Sequence, residues 1–239
     1  MNFLENVLKE VITLFPSEYI HIGGDECRKT RWEDCPKCQA RIKAEKLNRK
    51  NGHSPEENLQ SFVIRRVSDF LQKHGRVMIG WDEILQGGLA PNAVVMSWRG
   101  VKGGINAAKQ RHQVIMTPSS HLYFDYYQHE DFSKEPLAPR GTNSFKRVYS
   151  FEPYPSSLSE EYRKYIIGCQ ANLWTEYIPS SYQAEYMLMP RIAALCEVQW
   201  CQANTKNYDG LLKRMPQLIH VYDLYHYNYA KHILKEFNY

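Results

Sequence analysis

A chain of 239 residues, 43% hydrophobic and 23% charged, has an ordinary globular composition, and its length suits one large domain or two small ones. The net charge of +4 is scattered in short pairs such as Arg28-Lys29 and Arg65-Arg66, so no basic stripe tracks phosphates and no nucleic-acid partner is expected. No apolar run reaches the roughly 18 residues that a membrane span needs, so no membrane partner is expected either.

The elements alternate. Residues 2–14 carry apolar side chains at helical spacing, and Pro16 ends that helix. The opening residues do not read as a signal peptide. Tyr19–Ile22 is a short strand. Ser54-Pro55-Glu56-Glu57, an N-cap followed by proline, opens a long amphipathic helix over about 56–74, which Gly75 closes. Strands follow at 77–81 and 94–98, then a helix near 102–110 and a strand at 114–117 with a loop behind it. Residues 131–157 are proline-rich and irregular, with a helix near 142–149. A strand at 166–171 precedes helices near 179–187 and 207–223. Residues 189–197 read as helix, although a sixth short strand is also expected somewhere in 189–200. Continuous apolar strands alternating with helices predict βαβ units and a parallel sheet covered on both faces.

The strand ends carry the chemistry. The first stops at Gly23-Gly24 and presents Asp25 and Glu26 side by side. Two adjacent carboxyls predict coupled ionisation, with one able to stay protonated as an acid while the other is charged. The second strand ends in Trp81-Asp82-Glu83 and the third in Trp98. The fourth leads to His121-Leu122-Tyr123-Phe124-Asp125, and the fifth to Asn172-Leu173-Trp174-Thr175-Glu176. Acids and three tryptophans at successive strand ends predict an aromatic-walled, acid-floored pocket, the kind that suits a neutral polyol. No glycine-rich phosphate loop is present. Cys35-Pro36-Lys37-Cys38 has CxxC spacing, but no second ligand pair accompanies it, so a local disulfide or two free thiols are expected rather than a metal.

Taken in order, His21-Ile22-Gly23-Gly24-Asp25-Glu26, Gly80-Trp81-Asp82-Glu83, Ser97-Trp98, Tyr123-Phe124-Asp125, Asn172-Leu173-Trp174-Thr175-Glu176 and Ala193-Ala194-Leu195-Cys196-Glu197 resemble glycoside hydrolase family 20, the β-N-acetylhexosaminidases. The resemblance covers essentially the whole chain. It implies an α/β fold that is a partial (β/α)8 barrel, roughly strands four to eight with their helices. It implies hydrolysis of terminal N-acetyl-β-D-hexosamine from glycans by a retaining, substrate-assisted route. Within that route Glu26 is the acid and base, and Asp25 and Tyr123 hold the acetamido group. Trp81, Trp98 and Trp174 wall the pocket, Asp125 and Glu176 bind hydroxyls, and His21 and Glu83 support the catalytic pair. No cofactor and no metal are implied.

Against the family pattern, the first three barrel strands and the domain that usually precedes them have no counterpart in the 239 residues. The chain is therefore expected to be the C-terminal portion of a longer catalytic domain, weak or inactive alone, with a homo-oligomer covering its open sheet edges. Family members are mostly periplasmic, secreted or lysosomal, which suggests a periplasmic or secreted whole protein. Three other readings stay open: a non-catalytic sugar-binding or structural remnant, a metal protein using His21, Cys27, Cys35 and Cys38, and an ordinary two-carboxylate glycosidase.

Overall fold

A computed structural model describes residues 1–50, 52–139 and 141–237. In chain order the elements are α1 (Asn2–Leu14), β1 (Tyr19–His21), α2 (Thr30–Glu33), α3 (Pro36–Ala44), α4 (Pro55–Lys73), β2 (Val77–Trp81), β3 (Val94–Ser97), α5 (Lys102–Lys109) and β4 (Val114–Met116). They continue with α6 (Ser119–Leu122), α7 (Phe145–Tyr149), α8 (Glu160–Arg163), β5 (Ile166–Cys169), α9 (Ser181–Leu188), α10 (Arg191–Trp200) and α11 (Tyr208–Leu224). The five strands form one sheet in the order β1-β2-β3-β4-β5, so sequence neighbours are spatial neighbours. The strand pairs β1–β2 and β2–β3 are parallel, with Tyr19 opposite Val77 and Ile79 opposite Val94.

The chain divides into two compact units, Met1–Ile115 with Ser157–Ile167, and Met116–Ser156 with Gly168–Tyr239. In the first, β3 is buried along its whole length, as expected for a parallel strand with both faces covered. The long helix α4 packs against β2 and buries Leu59, Ile64, Val67 and Leu71. Its start is fixed by a reciprocal cap. Ser54 Oγ accepts from the Glu57 backbone N–H at 3.1 Å, and Glu57 Oε2 accepts from the Ser54 N–H at 2.8 Å. Helix α1 buries none of its residues.

In the second unit α10 packs on α7, and Phe124, Phe145, Met187, Met215 and Ile219 fill the core. Residues 191–200 are helical, so the sixth strand expected in 189–200 does not form there. The stretch Ile192-Ala193-Ala194-Leu195-Cys196 is apolar without alternation, and periodicity alone does not separate a buried helix from a buried strand in so short a run. Helices α2 and α3 had no expectation attached. Helix α3 has a low apolar content and buries only Ile42, so hydrophobic spacing gives no signal for it. All six cysteines are free thiols.

Candidate active site

The first unit builds a carboxylate turn at the end of β1. Backbone pairing with β2 continues just past the strand: Ile22 N–H donates to Ile79 O, and Trp81 N–H donates to Gly23 O, both at 2.9 Å. The chain then breaks sharply. Gly23 and Gly24 have φ of +73° and +95°, a region that side chains disfavour. A Cβ on Gly24 would sit 2.8 Å from Ile84 Cγ2, so the residue must be glycine on two counts. From α4, the buried Gln60 donates to Gly24 O at 3.0 Å and ties the turn to the helix. His21 Nδ1 accepts the Gly23 N–H at 3.1 Å. The outcome is that Asp25 and Glu26 are both exposed. Glu26 itself has φ of +49°, a left-handed conformation uncommon for a residue with a side chain.

Beneath this turn lies a second group. Trp81 is 9% exposed and packs edge-on against His21, with ring centroids 4.6 Å apart. Asp82 and Glu83 follow it and are both buried. Trp98 Nε1 donates to Glu83 Oε2 at 3.0 Å, which fixes the indole that ends β3. Arg99 reaches back to both acids, with Nε 3.0 Å from Asp82 Oδ1 and 3.5 Å from Glu83 Oε1. Burial nonetheless pushes the Asp82 pKa up to about 6, against the pull of Arg99, and neighbouring Glu83 adds to the rise. The sequence pointed to Glu83 and passed over Asp82 and Arg99. The Trp-Asp-Glu run held both acids, and only their partners distinguish them: Arg99 Nε donates to Asp82 and Trp98 Nε1 to Glu83.

The second unit carries the other group. Tyr123 pairs with Asn172 across an isolated parallel bridge, and its ring meets that of Trp174 edge-on at 6.2 Å. Tyr123 is 8% exposed, and burial pushes its phenol up to about 12, against hydrogen bonds from Trp174 and Asn172. It is therefore a neutral O–H at working pH. Asp125 is buried and its pKa is raised to about 6 by burial, with Arg191 pulling the other way. Its Oδ1 has no hydrogen-bond partner among the described residues. A buried carboxylate oxygen without a partner suits a ligand hydroxyl. Trp174 and Glu176 are exposed.

What holds this second group is Arg191, which the sequence reading missed. It is fully buried at the start of α10. Its guanidinium donates to the carbonyls of Phe124, of Tyr126 at 2.8 Å and of Asn143 at 3.1 Å, while Nε donates to Met187 O at 2.8 Å. It also stacks over the Phe124 ring, 4.8 Å from the centroid. A lone arginine inside an apolar stretch was the available signal, since a buried cation needs a full set of acceptors. The structure thus gathers Asp25, Glu26, His21, Trp81, Glu83 and Trp98 in one unit, and Tyr123, Asp125, Trp174 and Glu176 in the other.

Residues 1–203 match the catalytic-domain model of glycosyl hydrolase family 20. The chain belongs to this family. Among curated relatives, a β-hexosaminidase of Porphyromonas gingivalis is 45% identical over 228 residues, 95% of this chain and 28% of the relative. A β-hexosaminidase of Vibrio furnissii is 33% identical, over 81% of this chain and 31% of the relative. Among solved structures, the family 20 exo-β-N-acetylglucosaminidase of Vibrio harveyi, in complex with N-acetylglucosamine, superposes with a TM-score of 0.82 at 29% identity, over 95% of this chain and 35% of the other. The family 20 chain is thus an α/β, partial-barrel unit that spans about a third of the relatives it matches. Among the described residues no group of three or more His, Cys, Asp or Glu is placed to hold a metal, and no helix is long and apolar enough to cross a membrane.

Proposed function

We propose that this family 20 chain is the C-terminal portion of the catalytic barrel of a β-N-acetylhexosaminidase that removes terminal N-acetyl-β-D-hexosamine from glycans. The observation that carries the reading is the exposed Asp25–Glu26 pair at the carboxyl end of β1, where barrel enzymes put their reacting groups. The names of the relatives support the substrate class, and the share of their length that the chain spans supports the reading as a portion.

The mechanism needs no enzymic nucleophile. The substrate's acetamido oxygen attacks the anomeric carbon while the bond to the leaving oxygen breaks and Glu26 gives that oxygen its proton. Intramolecular attack supplies effective molarities on the order of 10⁵–10⁸ M. Asp25 accepts the acetamido N–H and offsets the positive charge of the bicyclic oxazolinium ion. The neutral Tyr123 O–H donates to the acetamido oxygen and aligns it. Glu26, now a carboxylate, takes a proton from water as the water opens the ring, and configuration is retained overall. Trp81, Trp98 and Trp174 give the sugar apolar faces. Asp125, through its unpartnered Oδ1, and Glu176 take hydroxyls. His21 braces the carboxylate turn through Gly23, and Glu83 fixes Trp98.

The test is hydrolysis of 4-nitrophenyl N-acetyl-β-glucosaminide by this chain, by Glu26→Gln and by a version extended at the N-terminus. Turnover confined to, or much faster in, the extended version and lost with Glu26→Gln is the expected result. Glu26→Gln retaining turnover defeats the mechanism. Binding without turnover in every version favours the non-catalytic remnant instead.

A further inference from the structure

Two cavities that share lining residues lie within the first unit, and Glu26 lines one of them. One, of about 330 Å³, is lined by Glu26, Cys27, Arg28, Lys29 and Arg99 among others, and its wall includes neither Asp25 nor Trp81. The next, of about 360 Å³, shares Cys27, Arg28, Lys29 and Gln86 with it and adds Arg49. A general acid sits at the glycosidic oxygen, the atom that joins the departing group to the sugar. Space beside Glu26 that does not reach Asp25 is therefore space for the departing group.

The charges in this space are unequal in availability. Glu83 is occupied by Trp98 and Arg99. Glu57 accepts from the neutral Ser54 N–H, with His53 3.5 Å away, and so is held in place with its charge intact. Arg99 is spent on Asp82 and Glu83. On the other side, Arg28 and Arg49 are exposed, and neither enters a hydrogen bond or ion pair among the described residues. Lys29 Nζ donates to the neutral Gln86 amide at 2.8 Å, which holds it in place without cancelling its charge. Arg28, Lys29 and Arg49 thus outnumber the anions left to face them, which are Glu57 and, through Arg49, Glu56, and Glu26 must carry a proton when it acts as an acid. Guanidinium groups are always charged and match carboxylates and sulfates in shape.

We infer that Arg28, Lys29 and Arg49 form a subsite for an acidic sugar, a uronate or an O-sulfated residue, in the leaving-group position. The inference rests on the hexosaminidase reading, which sets Glu26 at the scissile bond. It names the substrate class as N-acetylhexosaminides of acidic glycans.

Calorimetric titration of the N-terminally extended version carrying Glu26→Gln, which prevents turnover, tests it. The ligands are N-acetylglucosamine and three N-acetyl-β-glucosaminyl disaccharides whose second sugar is glucose, glucuronate or 6-O-sulfoglucose. Either or both acidic disaccharides should bind roughly fivefold or more tightly than the neutral one. That preference should shrink toward one in the Arg28→Ala/Arg49→Ala variant, whose two side chains are exposed, and again when salt is raised from about 20 mM to about 1 M. Equal binding of all three disaccharides, with N-acetylglucosamine bound, overturns the subsite and leaves the hexosaminidase reading standing. Failure of N-acetylglucosamine itself to bind the extended version overturns both.

Discussion

At the scale of single residues, the chemistry and the stability of the site separate cleanly. Glu26 is exposed, and glutamine has nearly its size and shape. Glu26→Gln is therefore expected to lower turnover by about 10²–10⁴-fold, the usual worth of acid–base help, while the melting temperature stays within experimental error. A matched fall in melting temperature would mark the carboxylate as structural. Asp125 behaves in the opposite way. Its folded pKa, about 6, lies above its ordinary 3.8, because burial disfavours the anion. A raised acid pKa means the folded state holds its proton longer than the unfolded one. The contribution is fully favourable below about 3.8 and is lost as pH rises through about 6. Asp125→Asn is expected to gain about 1–3 kcal/mol at pH 7 relative to the parent, with the gain vanishing below about pH 4 and hydroxyl binding weakened. Thermal melts across that range read it directly, and a pH-independent difference would sink the assignment.

At the scale of elements, the site depends on two devices, one glycine turn and one buried cation. Gly24→Ala forces a Cβ to within 2.8 Å of Ile84 at a φ of +95°. The turn must move, and Asp25 and Glu26 move with it. The expected result is a loss of at least about 1 kcal/mol of stability together with most of the turnover. Turnover should not recover on cooling the variant well below its melting temperature; recovery would show that only stability was lost. Arg191→Ala leaves the carbonyls of Phe124, Tyr126 and Asn143 without their donor, so about 3 kcal/mol or more of destabilisation is expected by urea unfolding. The first device was legible in the sequence and the second was not. Two glycines after an apolar strand and before two acids announce a break and a presentation, because only glycine takes those angles cheaply. The strand positions, the Ser54 cap and the long helix after it were legible for the same reason: each rests on local spacing. Helix α3, the buried pairing of Asp82 with Arg99 and the clamp of Arg191 rest on contacts between residues 17 to 67 positions apart or on a helix with little apolar signal. No local pattern encodes them.

At the scale of the whole molecule, α1 poses a question that its own unit does not answer. Residues 2–14 have the spacing of an amphipathic helix, yet none is buried, and Phe3, Val7 and Leu14 are 77%, 45% and 72% exposed. Between α1 and α4 lies a cavity of about 360 Å³ lined by Leu4, Val7, Leu8, Ile22, Val63 and Val67. Apolar surface left in water at about 25 cal/mol per Å² drives association with whatever apolar surface is available. For the isolated chain the available surface is another copy. Sedimentation velocity is expected to show a concentration-dependent shift from monomer to dimer, and Phe3→Glu with Val7→Lys should move that shift to higher concentration. Because both side chains are exposed, the double variant should melt no lower than the parent at dilute concentration. A parent chain that stays monomeric as its concentration rises would show that α1 is tolerated bare, and the expectation of a self-covering oligomer would fall with it.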